Sequence, residues 1–178
     1  MQAIGKGDEV AFSTLYARYY GKLLRYFLNM FFYDRSKAED FVQDLFIKII
    51  EKAKLYNTEK KFSTWVYSLA ANMCKNEFRR MSRKPVVFDL PELKITPKSI
   101  DHEASNPNFS KILAAALLSL DEKHRACFML RYQEGFSVEE VSQILDCPKG
   151  TVKSRLFYAL KKLAKHPQLA KQFQNIQL

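Results

Sequence analysis

The sequence contains few of the residues on which several protein classes depend. Its 178 residues include only three cysteines, Cys74, Cys127 and Cys147, which are far apart and form no C-x-x-C pair. This favours small buried thiols in a reducing cytosol over a disulfide framework. None of the three histidines lies at metal-ligand spacing from a cysteine, so no metal site is predicted.

Other absences exclude membrane and enzyme classes. The N-terminus has no apolar signal-peptide core, and no apolar run approaches the roughly 18 residues of a membrane span. We therefore expect a soluble, cytoplasmic chain. No phosphate-cradling glycine loop and no pairing of nucleophile with base occurs, so neither catalytic residues nor a cofactor is predicted. Gly and Pro are scarce before residue 84, and no strand alternation is visible, which favours an all-α fold.

The composition is basic and rich enough in apolar residues to fold. There are 29 Lys and Arg against 19 Asp and Glu, giving a net charge of +10, and 47% of residues are hydrophobic. A charge of this size favours a polyanionic partner, with nucleic acid as the default, although solubility alone is an alternative explanation.

The segment 137–165 predicts two helices joined by a short turn. Ser137 and Glu140 have the spacing of a capping box, and Pro148 suits the first turn of a second helix. That helix combines a buried stripe with an opposite face of hydroxyl and cationic groups, and no Asp or Glu follows Asp146. The pattern is typical of a helix-turn-helix with a basic recognition helix. An ordinary helical hairpin with solvated cations is the alternative.

The first half of the chain predicts three helices. An aromatic-rich helix covers 8–32, and a second covers 36–53, with Ser36 and Glu39 as its capping box. A third, within 62–84, has Trp65, carboxamides and cations along one flank. Aromatic rings can stack on unpaired bases, carboxamides can contact base edges, and cations can hold phosphates, so this flank favours single-stranded DNA. For Trp65 itself, a core position is favoured and contact with a base is the alternative.

The second half predicts a linker followed by a four-helix unit. Residues 84–108 contain four of the six prolines and no amphipathic period. An apolar helix follows over 109–120, Asp121 should cap a helix that ends near Gly135, and the helix-turn-helix completes the unit.

Four segments, in this order, resemble the extracytoplasmic-function (ECF) sigma factors of the sigma-70 family. They are GDEVAFSTLYARYY, AEDFVQDLFIKI, FSTWVYSLAANMCKNEFRR with the spacing F-x-x-W-x-Y-x-[IL]-A-x-N, and PKGTVKSRLFYALKKL. The resemblance implies two small helical domains joined by a flexible linker: region 2 over 1–84, a linker over 85–108, and region 4 over 109–178. It also implies a sigma factor that binds core RNA polymerase, recognises the −35 and −10 promoter elements and promotes DNA opening.

The resemblance also implies partners and contact residues. The partners are core RNA polymerase, through its clamp helices and flap, promoter DNA in duplex and single-stranded form, and an anti-sigma factor. The −35 set is Lys149, Thr151, Lys153, Ser154, Arg155, Phe157 and Tyr158. The −10 set is Lys60, Lys61, Phe62, Ser63, Trp65, Ser68, Asn72, Lys75, Asn76, Arg79 and Arg80. The polymerase-docking set is Asp40, Gln43, Asp44 and Phe46.

Some positions depart from the family pattern or allow a second interpretation. Ser68 and Tyr158 stand where relatives often carry basic residues, and Phe46 also belongs to the apolar stripe of its helix. Two other functions remain open: a dimeric helix-turn-helix regulator, and an RNA- or single-strand-binding protein. Dependence on core polymerase distinguishes the three.

Overall fold

The computed structural model describes residues 1–83, 107–166 and 169. Throughout these ranges the ordered elements are helices and no strand occurs, so the all-α prediction is confirmed. The chain forms two compact units, an N-terminal unit, Met1–Arg83, and a C-terminal unit, Lys84–Leu178. Most of the predicted linker lies outside the described residues.

The N-terminal unit consists of helices α1 (Gln2–Gly5), α2 (Glu9–Met30), α3 (Arg35–Glu51) and α4 (Phe62–Arg83), with a 3-10 turn at Ala53–Leu55. Helices α2, α3 and α4 pack around one core, and each contributes apolar residues recurring at helical spacing. The most buried side chains include Leu23, Tyr26, Phe27, Met30, Val42, Leu45, Ile49, Val66, Tyr67 and Ala70.

The predicted capping box of α3 is wrong. The N-cap is Asp34, whose carboxylate accepts the Lys37 backbone N–H at 3.1 Å, so the helix begins at Arg35. Glu39 pairs instead with the Arg35 guanidinium, at 2.8 Å between Nε and Oε1. Asp and Ser are both strong N-cap residues, and here the earlier one provides the cap. The helix also ends at Glu51, two residues before the predicted end.

A buried carboxylate joins α3 to α4. Glu77 is 7% exposed, and its Oε1 lies 2.7 Å from the Lys37 ammonium while its Oε2 accepts the Arg80 Nε–H at 2.7 Å. The Arg80 guanidinium, together with Lys37, lowers the pKa of Glu77 to about 2, although burial acts to raise it. Lys37 also lies over the Phe31 ring, 5.0 Å from its centroid. The ion pair therefore fixes α3 against α4.

The C-terminal unit contains α5 (Pro107–Leu118), α6 (Glu122–Phe128), α7 (Val138–Leu145) and α8 (Lys149–Leu163); a single π-helical turn, Met129–Gln133, extends α6. Helix α5 begins at Pro107, two residues before the predicted start, and Pro is well suited to a first helical position. Asp121 caps α6 as predicted, since its carboxylate accepts the N–H groups of Lys123 and His124.

The helix-turn-helix follows the sequence closely. The Ser137 hydroxyl accepts the Glu140 N–H at 3.1 Å, and the Glu140 carboxylate accepts the Ser137 N–H at 2.9 Å, so the capping box is confirmed. Asp146 ends α7 in the left-handed region at φ 48°. The Ser142 hydroxyl then donates to the Cys147 carbonyl at 2.7 Å, which fixes the turn into α8. The buried stripe of α8 is the predicted one: Val152, Leu156, Ala159, Leu160 and Leu163.

Candidate nucleic-acid and protein interfaces

The outward face of α8 combines cations, hydroxyls and two exposed aromatic rings. Phe157 and Tyr158 are 50% and 57% exposed. Lys153 and Ser154 are also exposed, whereas Thr151 is half-buried. Apolar rings presented to water beside cations are typical of a surface that a partner covers. All these residues belong to the predicted −35 set.

Two cations at the start of α8 have partners within the unit. The Lys149 ammonium lies 2.9 Å from Oε1 of Glu139 and lowers the pKa of that carboxyl group. Arg155 is half-buried, and its Nη1 lies 3.6 Å from the Cys147 sulfur. The guanidinium is therefore held against the turn of the helix-turn-helix.

Cys127 is fully buried, and burial raises its pKa to about 11, which keeps it a thiol.

The exposed flank of α4 carries the amide and cationic members of the predicted −10 set. Four of these residues are exposed: Asn72, Lys75, Asn76 and Arg79. Asn72 is three residues from Lys75 and four from Asn76, and Arg79 follows three residues after Asn76, so all four share one side of the helix. Arg80 is exposed as well, but its guanidinium is engaged by Glu77 through two hydrogen bonds.

An aromatic cluster lies where α4 begins. The centroid of the Trp65 ring lies 5.0 Å from that of Tyr56 and 5.6 Å from that of Phe62. The rings of Tyr19 and Phe62 are also in contact, with a centroid distance of 5.0 Å. Trp65 is half-buried, so the cluster both anchors the helix and leaves aromatic surface accessible.

Polar groups surround this cluster. The Tyr56 hydroxyl donates to the Lys60 carbonyl, and the Ser68 hydroxyl donates to the Thr64 carbonyl at 2.9 Å. Lys60 and Lys61 are exposed, while Phe62, Ser63 and Ser68 are half-buried.

The outward face of α3 is acidic and apolar. Three residues of the predicted docking set, Asp40, Gln43 and Asp44, are exposed. Sequence reasoning missed Ile47 and Ile50, which are 53% and 48% exposed. Their exposure could have been predicted from the sequence, because both isoleucines lie off the buried stripe and continue the helical spacing of Asp40 and Asp44.

Phe46 belongs to the core in this structure. It is 3% exposed and contacts the rings of Phe12 and Tyr16, at centroid distances of 6.0 and 4.6 Å.

Among the residues that the structure describes, no group of three or more His, Cys, Asp or Glu could hold a metal ion. Within the same ranges, every helix is too short or too polar to cross a membrane.

Comparisons with known proteins agree with these two units. The sigma-70 region 2 family matches residues 15–84, and the sigma-70, region 4 family matches residues 110–163. The chain is 31% identical to the ECF RNA polymerase sigma-E factor of Escherichia coli (strain K12) over 169 residues, covering 89% of this chain and 87% of the relative. The sigma-E factor of Haemophilus influenzae is 29% identical over 169 residues, with 89% and 88% covered.

Two solved structures have the same fold. One is CnrH in complex with the cytosolic domain of CnrY, with a TM-score of 0.66, 22% identity and 92% of both chains covered. The other is the sigma factor RpoE in complex with the anti-sigma factor NepR from Bartonella quintana, with a TM-score of 0.68, 24% identity, and 87% and 95% covered. Taken with the sequence matches, they lead to one conclusion: the chain belongs to the ECF sigma factors of the sigma-70 family, which direct promoter-specific transcription initiation.

Proposed function

We propose that this protein binds core RNA polymerase through α3, contacts the −35 duplex with α8, and holds the opened −10 strand along α4. The observation that supports the proposal is the chemical difference between the three exposed faces. Helix α8 presents cations with aromatic rings, α4 presents carboxamides with cations, and α3 presents carboxylates with isoleucines.

The α8 face suits duplex DNA. Lys153 and Ser154 lie in its first turns, where the residues of a recognition helix reach base edges and flanking phosphates. Arg155, held against the turn by Cys147, is positioned beside them. The absence of Asp and Glu after Asp146 leaves this end of the chain without repulsion toward phosphate.

The α4 face suits a single strand. Asn72 and Asn76 offer amide groups one turn apart, and Lys75 and Arg79 supply positive charge between and beyond them. The neighbouring rings of Tyr56, Phe62 and Trp65 provide a surface for an unstacked base. Binding energy released on capturing the strand would drive the opening.

The α3 face suits a protein partner. Its carboxylates would repel DNA, and Ile47 and Ile50 are large apolar side chains left in water on the same face, toward the end of α3. We assign this face to core polymerase and leave the buried Phe46 outside it. Both solved neighbours contain a second protein, an anti-sigma factor in one case. We propose that an anti-sigma factor for this chain would cover its DNA-binding faces.

In vitro transcription tests the proposal. Purified core polymerase is supplied with a fragmented genomic library, with and without this protein. We expect discrete new start sites that share a pair of upstream boxes. Specific duplex binding without polymerase, combined with no new transcripts, would instead identify a stand-alone regulator.

Truncation of two polar side chains on the exposed face of α3 should weaken polymerase binding. Asp40→Ala combined with Gln43→Ala is expected to lower the affinity for core polymerase about thirtyfold, since two truncated interface residues each cost on the order of 1 kcal/mol. A titration of labelled protein with core polymerase measures the effect. Glu9→Ala, which removes an exposed carboxylate from α2, is the control. Wild-type affinity in the double variant would remove α3 from the interface.

Loss of one carboxamide of α4 should impair opening more than closed binding. Asn72→Ala is expected to slow formation of the open complex roughly fivefold to tenfold, since one lost polar contact costs on the order of 1 kcal/mol. Permanganate reactivity of unpaired −10 thymines measures opening, and binding at low temperature provides the internal control. Equal losses in both assays, or none in either, would contradict the assignment.

A further inference from the structure

The last turn of α8 and the turn after it carry three lysines that do not belong to the −35 set. We call Lys161, Lys162 and Lys165 the lysine cluster. They line one side of an open cavity of about 610 Å³. The remaining lining residues are Leu120, Asp121, His124 and Tyr158.

The cavity is positive, because three ammonium groups line it against one carboxylate. Asp121 accepts two backbone N–H groups as the cap of α6, and its Oδ2 lies 2.7 Å from Nδ1 of His124. Lys162 donates to the Ser119 carbonyl at the end of α5, so it has a structural role. Within the described ranges, no carboxylate forms an ion pair with Lys161 or Lys165.

The two available ammonium groups continue the exposed line of the recognition helix. Ser154, Phe157 and Lys161 succeed one another at intervals of three or four residues, so they lie on the same outward side of α8. Lys165 is exposed in the turn that follows the helix and lines the same cavity as Lys161. The Lys161 ammonium is 5.9 Å from the centroid of the Phe157 ring, which links it to the proposed −35 face.

The dimensions fit a contact beside the groove. At about 1.5 Å per residue, Lys161 lies roughly 10 Å along the helix axis from Ser154. The major groove is about 12 Å wide. A helix whose first turns lie in the groove therefore brings Lys161 and Lys165 to its edge, where the phosphates are.

We propose that Lys161 and Lys165 bind backbone phosphates of duplex DNA flanking the −35 element. This inference rests on the proposed function of α8. It also accounts for Tyr158, which stands where the family pattern often has a basic residue. Here the positive charge is supplied three and seven residues later. The alternative is structural, because lysines near a helix C-terminus stabilise it by interacting with its dipole.

Salt dependence separates the two roles. Holoenzyme containing Lys161→Ala with Lys165→Ala is titrated onto a promoter duplex from the transcription library, between 50 and 200 mM salt. Each lost phosphate contact lowers the slope of log K against log salt by about 0.9, so we expect a decrease of about 2. The matched control removes the same charge elsewhere, through Lys22→Ala with Lys123→Ala, both exposed and outside the cavity. Its slope should remain unchanged.

Neutral phosphate analogues locate the contact. In this experiment a methylphosphonate replaces each flanking phosphate in turn. At one or two positions the substitution should lower the affinity of wild-type holoenzyme for the duplex and leave the affinity of the double alanine variant unchanged. Lys161→Arg with Lys165→Arg should restore the wild-type slope. An unchanged slope in the alanine variant, or an equal decrease in the control, would overturn the inference. If wild-type protein gave no polymerase-dependent transcripts, the proposed function itself would fail, which is a different result.

Discussion

Replacing Glu77 by Gln is expected to lower the free energy of unfolding of the N-terminal unit by about 3 kcal/mol at pH 7. The pKa of this carboxyl group falls from 4.5 to about 2 in the folded protein, and a shift of that size corresponds to about 3 kcal/mol. The substitution also leaves the Lys37 ammonium, one-quarter exposed, without its ionised partner. The chain's single tryptophan, Trp65, lies in the same unit, so its fluorescence during urea unfolding measures the effect.

The effect should depend on pH in a defined direction. Because the folded pKa of Glu77 is depressed, its stabilisation is fully present above pH 4.5 and is lost as the pH falls toward 2. Wild-type protein and Glu77→Gln should therefore differ most at neutral pH and converge in acid.

A matched variant tests whether burial is the cause. Glu39→Gln breaks the Arg35–Glu39 pair, whose side chains are 64% and 37% exposed. Exposed pairs contribute about 0.2–1 kcal/mol, so this variant should differ little from wild type. A loss of stability in Glu77→Gln no larger than in Glu39→Gln, or a loss that persists at pH 2, would contradict the argument.

Removing the cations from the first turns of α8 is expected to abolish most −35 recognition. Lys153→Ala and Arg155→Ala should each weaken promoter binding by roughly 1–3 kcal/mol, a factor of about 5 to 150, if each loses one DNA contact. Holoenzyme affinity for a duplex with an intact or scrambled −35 box measures both affinity and discrimination. The loss should be confined to the intact box if the contact reads bases.

Arg155 needs a second variant because it also contacts Cys147 within the unit. Arg155→Lys keeps the charge but cannot donate two parallel hydrogen bonds, so it should recover phosphate-type binding without base discrimination. Cys147→Ala removes the sulfur contact while keeping the guanidinium. Unchanged promoter affinity in both Lys153→Ala and Arg155→Ala would remove α8 from the −35 interface.

Features encoded within one turn of the chain could be predicted from the sequence. The capping box of Ser137 and Glu140, the cap at Asp121 and the buried stripe of α8 all depend on spacings of two to four residues. The predicted start of α3 was wrong because two capping residues lie close together. Local spacing does not decide between Asp34 and Ser36.

Contacts between distant segments could not be predicted in this way. Glu77 lies at the end of an apolar line on α4, and nothing near it in sequence indicates that Lys37 would enter the same site from α3. The burial of Phe46 likewise depends on Phe12 and Tyr16 of another helix. The candidate faces were found because each is exposed on a single helix, whereas the cavity beside the lysine cluster needs α6 and α8 together.

The two oppositely charged faces of the N-terminal unit have a consequence for handling the isolated protein. Helix α3 presents carboxylates and isoleucines, while α4 presents lysine and arginine. Without polymerase or DNA, the acidic face of one molecule is complementary to the basic face of another. At 0.01 M ionic strength charges act over about 30 Å, and at 0.15 M over about 8 Å. The net charge of +10 repels like molecules over the same range, so we expect dilute buffer to keep the free protein dispersed despite this complementarity.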